Sequence, residues 1–276
     1  MRRRPARWTP PGPRPPGDRG DPALRPGPGE TLDCLSGHWR IFQLRRGHRY
    51  STDDVLTAWY AARACLDRHR EPRALLDLGC GIGSVGLLLL WRFPGLRMVG
   101  VEAQQVSVGL ARRSLRYNGA DRRAEVRRGD IRDPGVFREG ERFDLVTGSP
   151  PYLAPAEGRR SPLAQRGPCR FEDRGGVDAY LAAAAARLAG GGCVVWVHAT
   201  RHLEANLAAA RRVGLRSVVL RRVVFREGKP SLICLFRAGP VGPAGVTEEP
   251  ALVVRDRQGR WSGEFRGVRR EMGFPV

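Results

Sequence analysis

Asp77-Leu78-Gly79-Cys80-Gly81-Ile82-Gly83 is the stretch that decides the fold. It closes a short apolar run, Ala74 to Leu78, that predicts a buried strand. It opens onto Ser84 to Phe93, a helical stretch stopped by Pro94-Gly95. A strand, three alternate glycines and a helix form a nucleotide-binding turn. The glycines let the backbone approach a ligand closely, and the helix N-terminus lies beside it. Glu102, 23 positions after Gly79, ends the next predicted strand, Arg97 to Glu102, where a carboxylate can accept both hydroxyls of a ribose. Asp130 follows the third predicted strand, Ala124 to Arg128, and an adenine amino group is a partner for it. Asp77 is a cofactor contact or orders the glycine loop. The glycine spacing alone would also suit NAD.

The alternation continues outward. Ser51 or Thr52 caps a helix to about His69, with acids in its first turn. Gln104 to Tyr117 is a helix ended by Asn118-Gly119. Phe143 to Thr147 is a strand, Asp178 to Leu188 a helix broken by Gly190-Gly191-Gly192, Cys193 to Val197 a strand, and Arg201 to Val213 a helix. Arg216 to Phe225 and Ser231 to Arg237 form a hairpin around Glu227-Gly228. Strand–helix alternation that ends in a hairpin predicts an α/β fold, with a mostly parallel sheet carrying one antiparallel strand. Four regions are expected: a disordered Pro/Arg/Gly-rich tail over 1–30, an N-terminal strand and helix over 31–72, a core over 73–240, and an extension over 241–276. Within that extension 239–250 reads as loop, and Ala251 to Val254 with Gly259 to Phe265 as a small hairpin.

The 276 residues suffice for one such domain with a full core. No apolar run approaches the roughly 20 residues of a membrane span, so no membrane partner is expected. Six cysteines without a C-x-x-C pair point to reduced, cytoplasmic usage. Cys34 and His38 are four apart, as are His198 and His202, but neither pair has further ligands nearby. A closed zinc site wants four, so no metal is expected. A monomer is expected. The formal net charge is +20, and seven arginines against Asp18, Asp21 and Glu30 place +4 of it in the first thirty residues. Arginine-biased codon usage would exchange Lys for Arg without creating an excess over the acids. Such a surface favours a polyanion, and nucleic acid is the commonest one.

The second informative stretch is Ser149-Pro150-Pro151-Tyr152, where the strand from Phe143 ends. An aromatic amine is a poor nucleophile because its lone pair is delocalised into the ring. The Ser149 hydroxyl and the Pro150 carbonyl can take its two hydrogens and stabilise charge as it develops on nitrogen. Proline fixes φ and so presets the carbonyl direction, Pro151 continues the rigid turn, and Tyr152 offers a face to a base. Leu153 to Val177 is a long loop holding Arg159, Arg160, Arg166, Arg170 and Arg174, which reads as a lid and phosphate-contacting arm or as a solvated charge run.

Asp77 to Gly83, Glu102, Asp130 and Ser149 to Tyr152 together resemble the motif set of class I S-adenosylmethionine-dependent methyltransferases, amino-group branch. Gln43 to Tyr50 leading into Ser51-Thr52-Asp53, Asp77 to Leu90, Val99 to Glu102, Pro250 to Val254 and Asp256 to Gly259 resemble the bacterial family that modifies adenine N6 in valine tRNA. The resemblance spans about residues 31–265. It implies a Rossmann-like, seven-stranded, mostly parallel sheet with an antiparallel hairpin strand and helices on both faces. It implies S-adenosylmethionine held by Gly79, Gly81, Gly83, Glu102 and Asp130, and a target base, in RNA and within that family tRNA, against Ser149 to Tyr152. Tyr50 and the basic turn before Asp53 would lie near the active site. Ser149 departs from the asparagine usual in the adenine-modifying family; serine is seen there in enzymes acting on cytosine N4. Glutamine-modifying protein methyltransferases carry a similar Asn-Pro-Pro-Tyr motif, so a protein or small-molecule acceptor stays open. So does RNA binding without catalysis.

Overall fold

The structure, a computed structural model, describes residues 8–152 and 175–276. Its centre is an eight-stranded sheet in the order β10-β8-β9-β7-β6-β3-β4-β5. The strands are β3 (Ala74–Leu78), β4 (Arg97–Glu102), β5 (Ala124–Arg128), β6 (Phe143–Gly148), β7 (Leu188–Ala199), β8 (Ser217–Val224), β9 (Ile233–Gly239) and β10 (Gly245–Val253). Only β9 runs antiparallel to its neighbours, β7 and β8. The antiparallel hairpin strand expected from sequence is thus present, in a sheet one strand larger than the expected seven.

The strands are continuous apolar runs because helices cover both faces. Period-two alternation sends Leu75, Leu145, Val195 and Val197 to one side, where α1 (Thr52–Leu66), α2 (Ser84–Arg92), α3 (Gln105–Tyr117) and α6 (Gly263–Glu271) pack. Leu76, Val146, Val194 and Trp196 face α4 (Val177–Arg187) and α5 (Leu203–Arg212) on the other. Ser51 caps α1 in a reciprocal box with Asp54. A separate hairpin, β1 (Glu30–Cys34) with β2 (Arg40–Leu44), docks on α3. There Asn118 Oδ1 accepts the Arg40 N–H and Ser114 Oγ the Phe42 N–H.

Three expectations need correction. Residues 8–30, expected to be disordered, are ordered against α3. Arg113 donates to the carbonyls of Ala23 and Arg25 and pairs with Glu30, Arg116 pairs with Asp21, and Leu24 is buried. Composition alone misses this because prolines have less conformational freedom to lose, and arginines from a distant helix satisfy the backbone. Residues 1–7 lie outside the described residues. The segment taken as loop over 239–250 contains most of β10, an edge strand parallel to β8. It is largely exposed, carries Pro250 where its register shifts, and therefore lacks an alternating apolar signal. Finally, the expected hairpin over 251–265 reduces to one bridge, Arg255 with Trp261. Ser262 then caps α6 by accepting the Phe265 N–H at 3.0 Å, which buries Phe265 and Val268.

Candidate active site

The chain runs from β3 outward to β4 and β5, then returns to place β6 on β3's other side. The loops after β3 and β6 therefore diverge and leave a crevice at the C-terminal ends of the strands. A cavity of about 610 Å³ occupies it, lined by Gly79, Gly81, Glu102, Asp130 and Ser149 through Tyr152 among others. The two motifs, some seventy residues apart in sequence, share one wall.

Gly79 and Gly81 have φ of +59° and +56°, the left-handed region. A Cβ on Gly79 would come within 2.1 Å of the Tyr180 hydroxyl of α4, whereas one on Gly81 would meet nothing within 4 Å. Gly81 therefore presents bare backbone to open space. Gly83 does not line the cavity, contrary to expectation. It caps α2 without a side-chain hydrogen bond, and a Cβ there would meet Ala111 of α3 at 3.3 Å. Its smallness serves helix packing. Glu102 is buried, and its two oxygens accept the Gly81 N–H at 3.0 Å and the Gln104 N–H at 2.7 Å. Asp77 accepts from Thr147 Oγ1 at 2.8 Å and from the Gly86 N–H at 3.2 Å. It ties β3 to β6 and to the start of α2, so it orders the turn. Burial raises its carboxyl to about 7, against those two hydrogen bonds. Asp130 lies in the wall with its carboxylate held by the guanidinium of Arg132 at 2.6 Å.

The Ser149–Tyr152 turn is fixed from behind. His198 Nε2 donates to the Pro151 carbonyl at 3.0 Å, with Nδ1 accepting from Asn206 at 3.1 Å. The Tyr152 carbonyl accepts from Arg201 at 2.7 Å and His202 at 3.2 Å. These partners come from the end of β7 and the start of α5. Among the described residues no hydrogen bond engages Ser149 Oγ or the Pro150 carbonyl, the two acceptors assigned from sequence. The Tyr152 ring lies edge-on to His198 at 5.0 Å. Burial, with Asp53 and Asp54 nearby, pushes its phenol well above the usual range.

The four-residue spacing of His198 and His202, from which no metal site is expected, instead lets both rings reach main-chain oxygens 47 and 50 residues away. Burial lowers His198 from 6.5 to about 4, with His202 and Arg201 adding to it. The unfolded chain therefore binds a proton first, and stability falls as pH drops from 6.5 toward 4. The parent protein is expected to lose about 2 kcal/mol more than His198→Gln between about pH 7 and about pH 5. Thermal melts at both pH values check this, because other titrating groups cancel in the comparison.

Other wall residues carried little sequence signal. Asp53 is half-buried in the wall, and burial with Asp54 beside it raises its carboxyl to about 6. Asp54 accepts from Ser84 Oγ at 2.8 Å, which joins the starts of α1 and α2. Tyr180 backs both Gly79 and Gly148. Tyr50, expected among the substrate contacts, is not in the wall: its hydroxyl donates to the Cys34 carbonyl at 2.8 Å in β1. Its neighbours Gly47, His48 and Arg49 line the cavity instead. Arg159, Arg160, Arg166, Arg170 and Arg174 lie outside the described residues.

Residues 57–166 match the family model described as methyltransferase small domain. A tRNA1(Val) (adenine(37)-N6)-methyltransferase from Yersinia pestis is 30% identical over 204 residues, 70% of this chain and 76% of the relative. One of the same name from Porphyromonas gingivalis is 25% identical over 222 residues, 79% of this chain and 85% of the relative. Among solved structures, a predicted O-methyltransferase from Agrobacterium tumefaciens superposes with a TM-score of 0.60 at 20% identity, covering 81% of this chain and 98% of that one.

Proposed function

Because the chain belongs to the family of S-adenosylmethionine-dependent methyltransferases that includes the tRNA1(Val) (adenine(37)-N6)-methyltransferases, we propose that it methylates the N6 amine of an adenine in tRNA. That it is an S-adenosylmethionine-dependent methyltransferase follows from the family; the acceptor is the inference. One observation carries it: Ser149, Pro150 and Tyr152 line the same cavity as Gly79, Gly81 and Glu102.

The cavity suits the cofactor. Open space over Gly81 leaves room for it, and Glu102 lies in the same wall, where a carboxylate can take the hydroxyls of a ribose. When bound, the cofactor supplies a methyl group made electrophilic by its sulfonium. Ser149 Oγ and the Pro150 carbonyl accept the two N–H groups of the amine, which turns its lone pair out of conjugation. As positive charge develops on that nitrogen, the same two oxygens stabilise it. Tyr152 stacks on the base and keeps the amine in line, so the turn contributes chiefly by positioning. The methylated amine then gives its extra proton to water. The relatives' names supply tRNA and adenine, and the charge of +20 agrees with a polyanionic substrate.

Purified protein is expected to transfer labelled methyl from S-adenosylmethionine to tRNA from cells that lack it, and mass spectrometry of the digested nucleosides to show N6-methyladenosine. Methylcytidine, or label only in protein, would reassign the acceptor.

A further inference from the structure

The edge that holds the active site extends past β7. Ala199, the last residue of β7, stands opposite Ile233, the first of β9, and Ile233 stands opposite Val223 near the end of β8. Val253, the last residue of β10, lies beside Val224. The connection 225–232 and the segment 254–262 therefore emerge at the same edge as Leu78, Glu102 and Gly148. Neighbouring strands lie roughly 4.8 Å apart, so β8 and β10 lie about 14 and 19 Å to the side of β6.

These two segments form one body. The Glu227 N–H donates to the Arg255 carbonyl at 2.8 Å, and Arg257 approaches Glu227 at 3.6 Å. Gly259 lies so close to Arg226 that a Cβ would meet its guanidinium at 2.6 Å. Five cations gather there, Arg226, Lys229, Arg255, Arg257 and Arg260, against two acids, Glu227 and Asp256. Arg226 and Lys229 are exposed and have no acidic partner among the described residues. Exposed Arg201, which follows β7 and is anchored on the Tyr152 carbonyl, lines the cavity. Beyond the cavity, Arg45 and Arg46 are exposed and likewise without an acidic partner among the described residues.

We propose that this corner is a docking surface for the sugar–phosphate backbone of tRNA, engaged three to four strand widths, about 14–19 Å, to the side of the strand that carries the Ser149 turn. The inference rests on the reading of tRNA as substrate. A row of cations leading to a cavity suits a strand of phosphates that delivers one base into it. Leu232 is the one large apolar side chain exposed in these segments among the described residues, and a single such side chain makes no protein-docking patch.

The test is the triple variant Arg226→Ala/Lys229→Ala/Arg257→Ala. Affinity for unmodified tRNA is expected to fall about tenfold at moderate salt, and the slope of log K against log salt to flatten by about 2. KM for tRNA should rise with kcat at saturating tRNA retained. S-adenosylmethionine binding by calorimetry and the melting temperature should match the parent, since all three residues are exposed. If the parent methylates tRNA and the variant keeps its KM and salt slope, this inference alone is overturned. A parent that neither binds nor methylates tRNA overturns the substrate reading and the docking surface together.

Discussion

The double variant Ser149→Ala/Tyr152→Ala is expected to bind S-adenosylmethionine as the parent does and to methylate its acceptor on the order of 10³-fold more slowly or worse. Removing one donor aimed at a developing oxyanion typically costs about 10²–10³ in kcat, and an acceptor aimed at developing positive charge is expected to act on the same scale. Losing an aromatic stacking platform costs roughly 1–3 kcal/mol. The Ser149 hydroxyl has no hydrogen bond to lose among the described residues, and the Pro151 and Tyr152 carbonyls stay held by His198, Arg201 and His202. The turn should therefore keep its shape, and the loss should fall on transfer. Single-turnover assays with calorimetry on the same samples separate the two. Near-parental turnover would remove this turn from the chemistry.

The second large effect is expected at Glu102. Its oxygens accept the Gly81 and Gln104 amides, so the residue shapes the glycine turn from within the cavity wall. Glu102→Gln keeps the size but replaces one oxygen with an amino group, which opposes one of those N–H donors and can accept nothing from a ribose. Hydrogen bonds to a charged group contribute about 1.5–3 kcal/mol. The dissociation constant for S-adenosylmethionine should rise about 10- to 100-fold, with a much smaller change in kcat once cofactor saturates. A calorimetric constant within about twofold of the parent would remove Glu102 from the cofactor's grip.

Much of this was legible from local sequence. Gly79 and Gly81 announce a left-handed turn because no other residue adopts it freely, and apolar runs between turn signals marked β3, β4 and β6. The position of Ser149-Pro150-Pro151-Tyr152 followed from the strand before it. What escaped depends on distant partners. The hydrogen bonds from His198 and His202 reach main-chain oxygens, and carbonyls leave no mark on side-chain identity. Gly83 belongs to the same glycine pattern as Gly79, yet its neighbour is Ala111 on another helix. Tyr50 sits beside a basic turn that lines the cavity, but its hydroxyl is spent on β1. For β10, the pairing is main chain to main chain on an exposed edge, and its side chains say little about it.

The clamp behind the Ser149 turn divides labour between two sets of atoms. Shape comes from imidazole and guanidinium groups on β7 and in the turn before α5, while Ser149 Oγ, the acceptor proposed above, has no hydrogen bond among the described residues. Exchanging that residue should cost little folding energy. On the proposed role of Ser149, one substitution there should alter acceptor preference on a scaffold that need not be rebuilt.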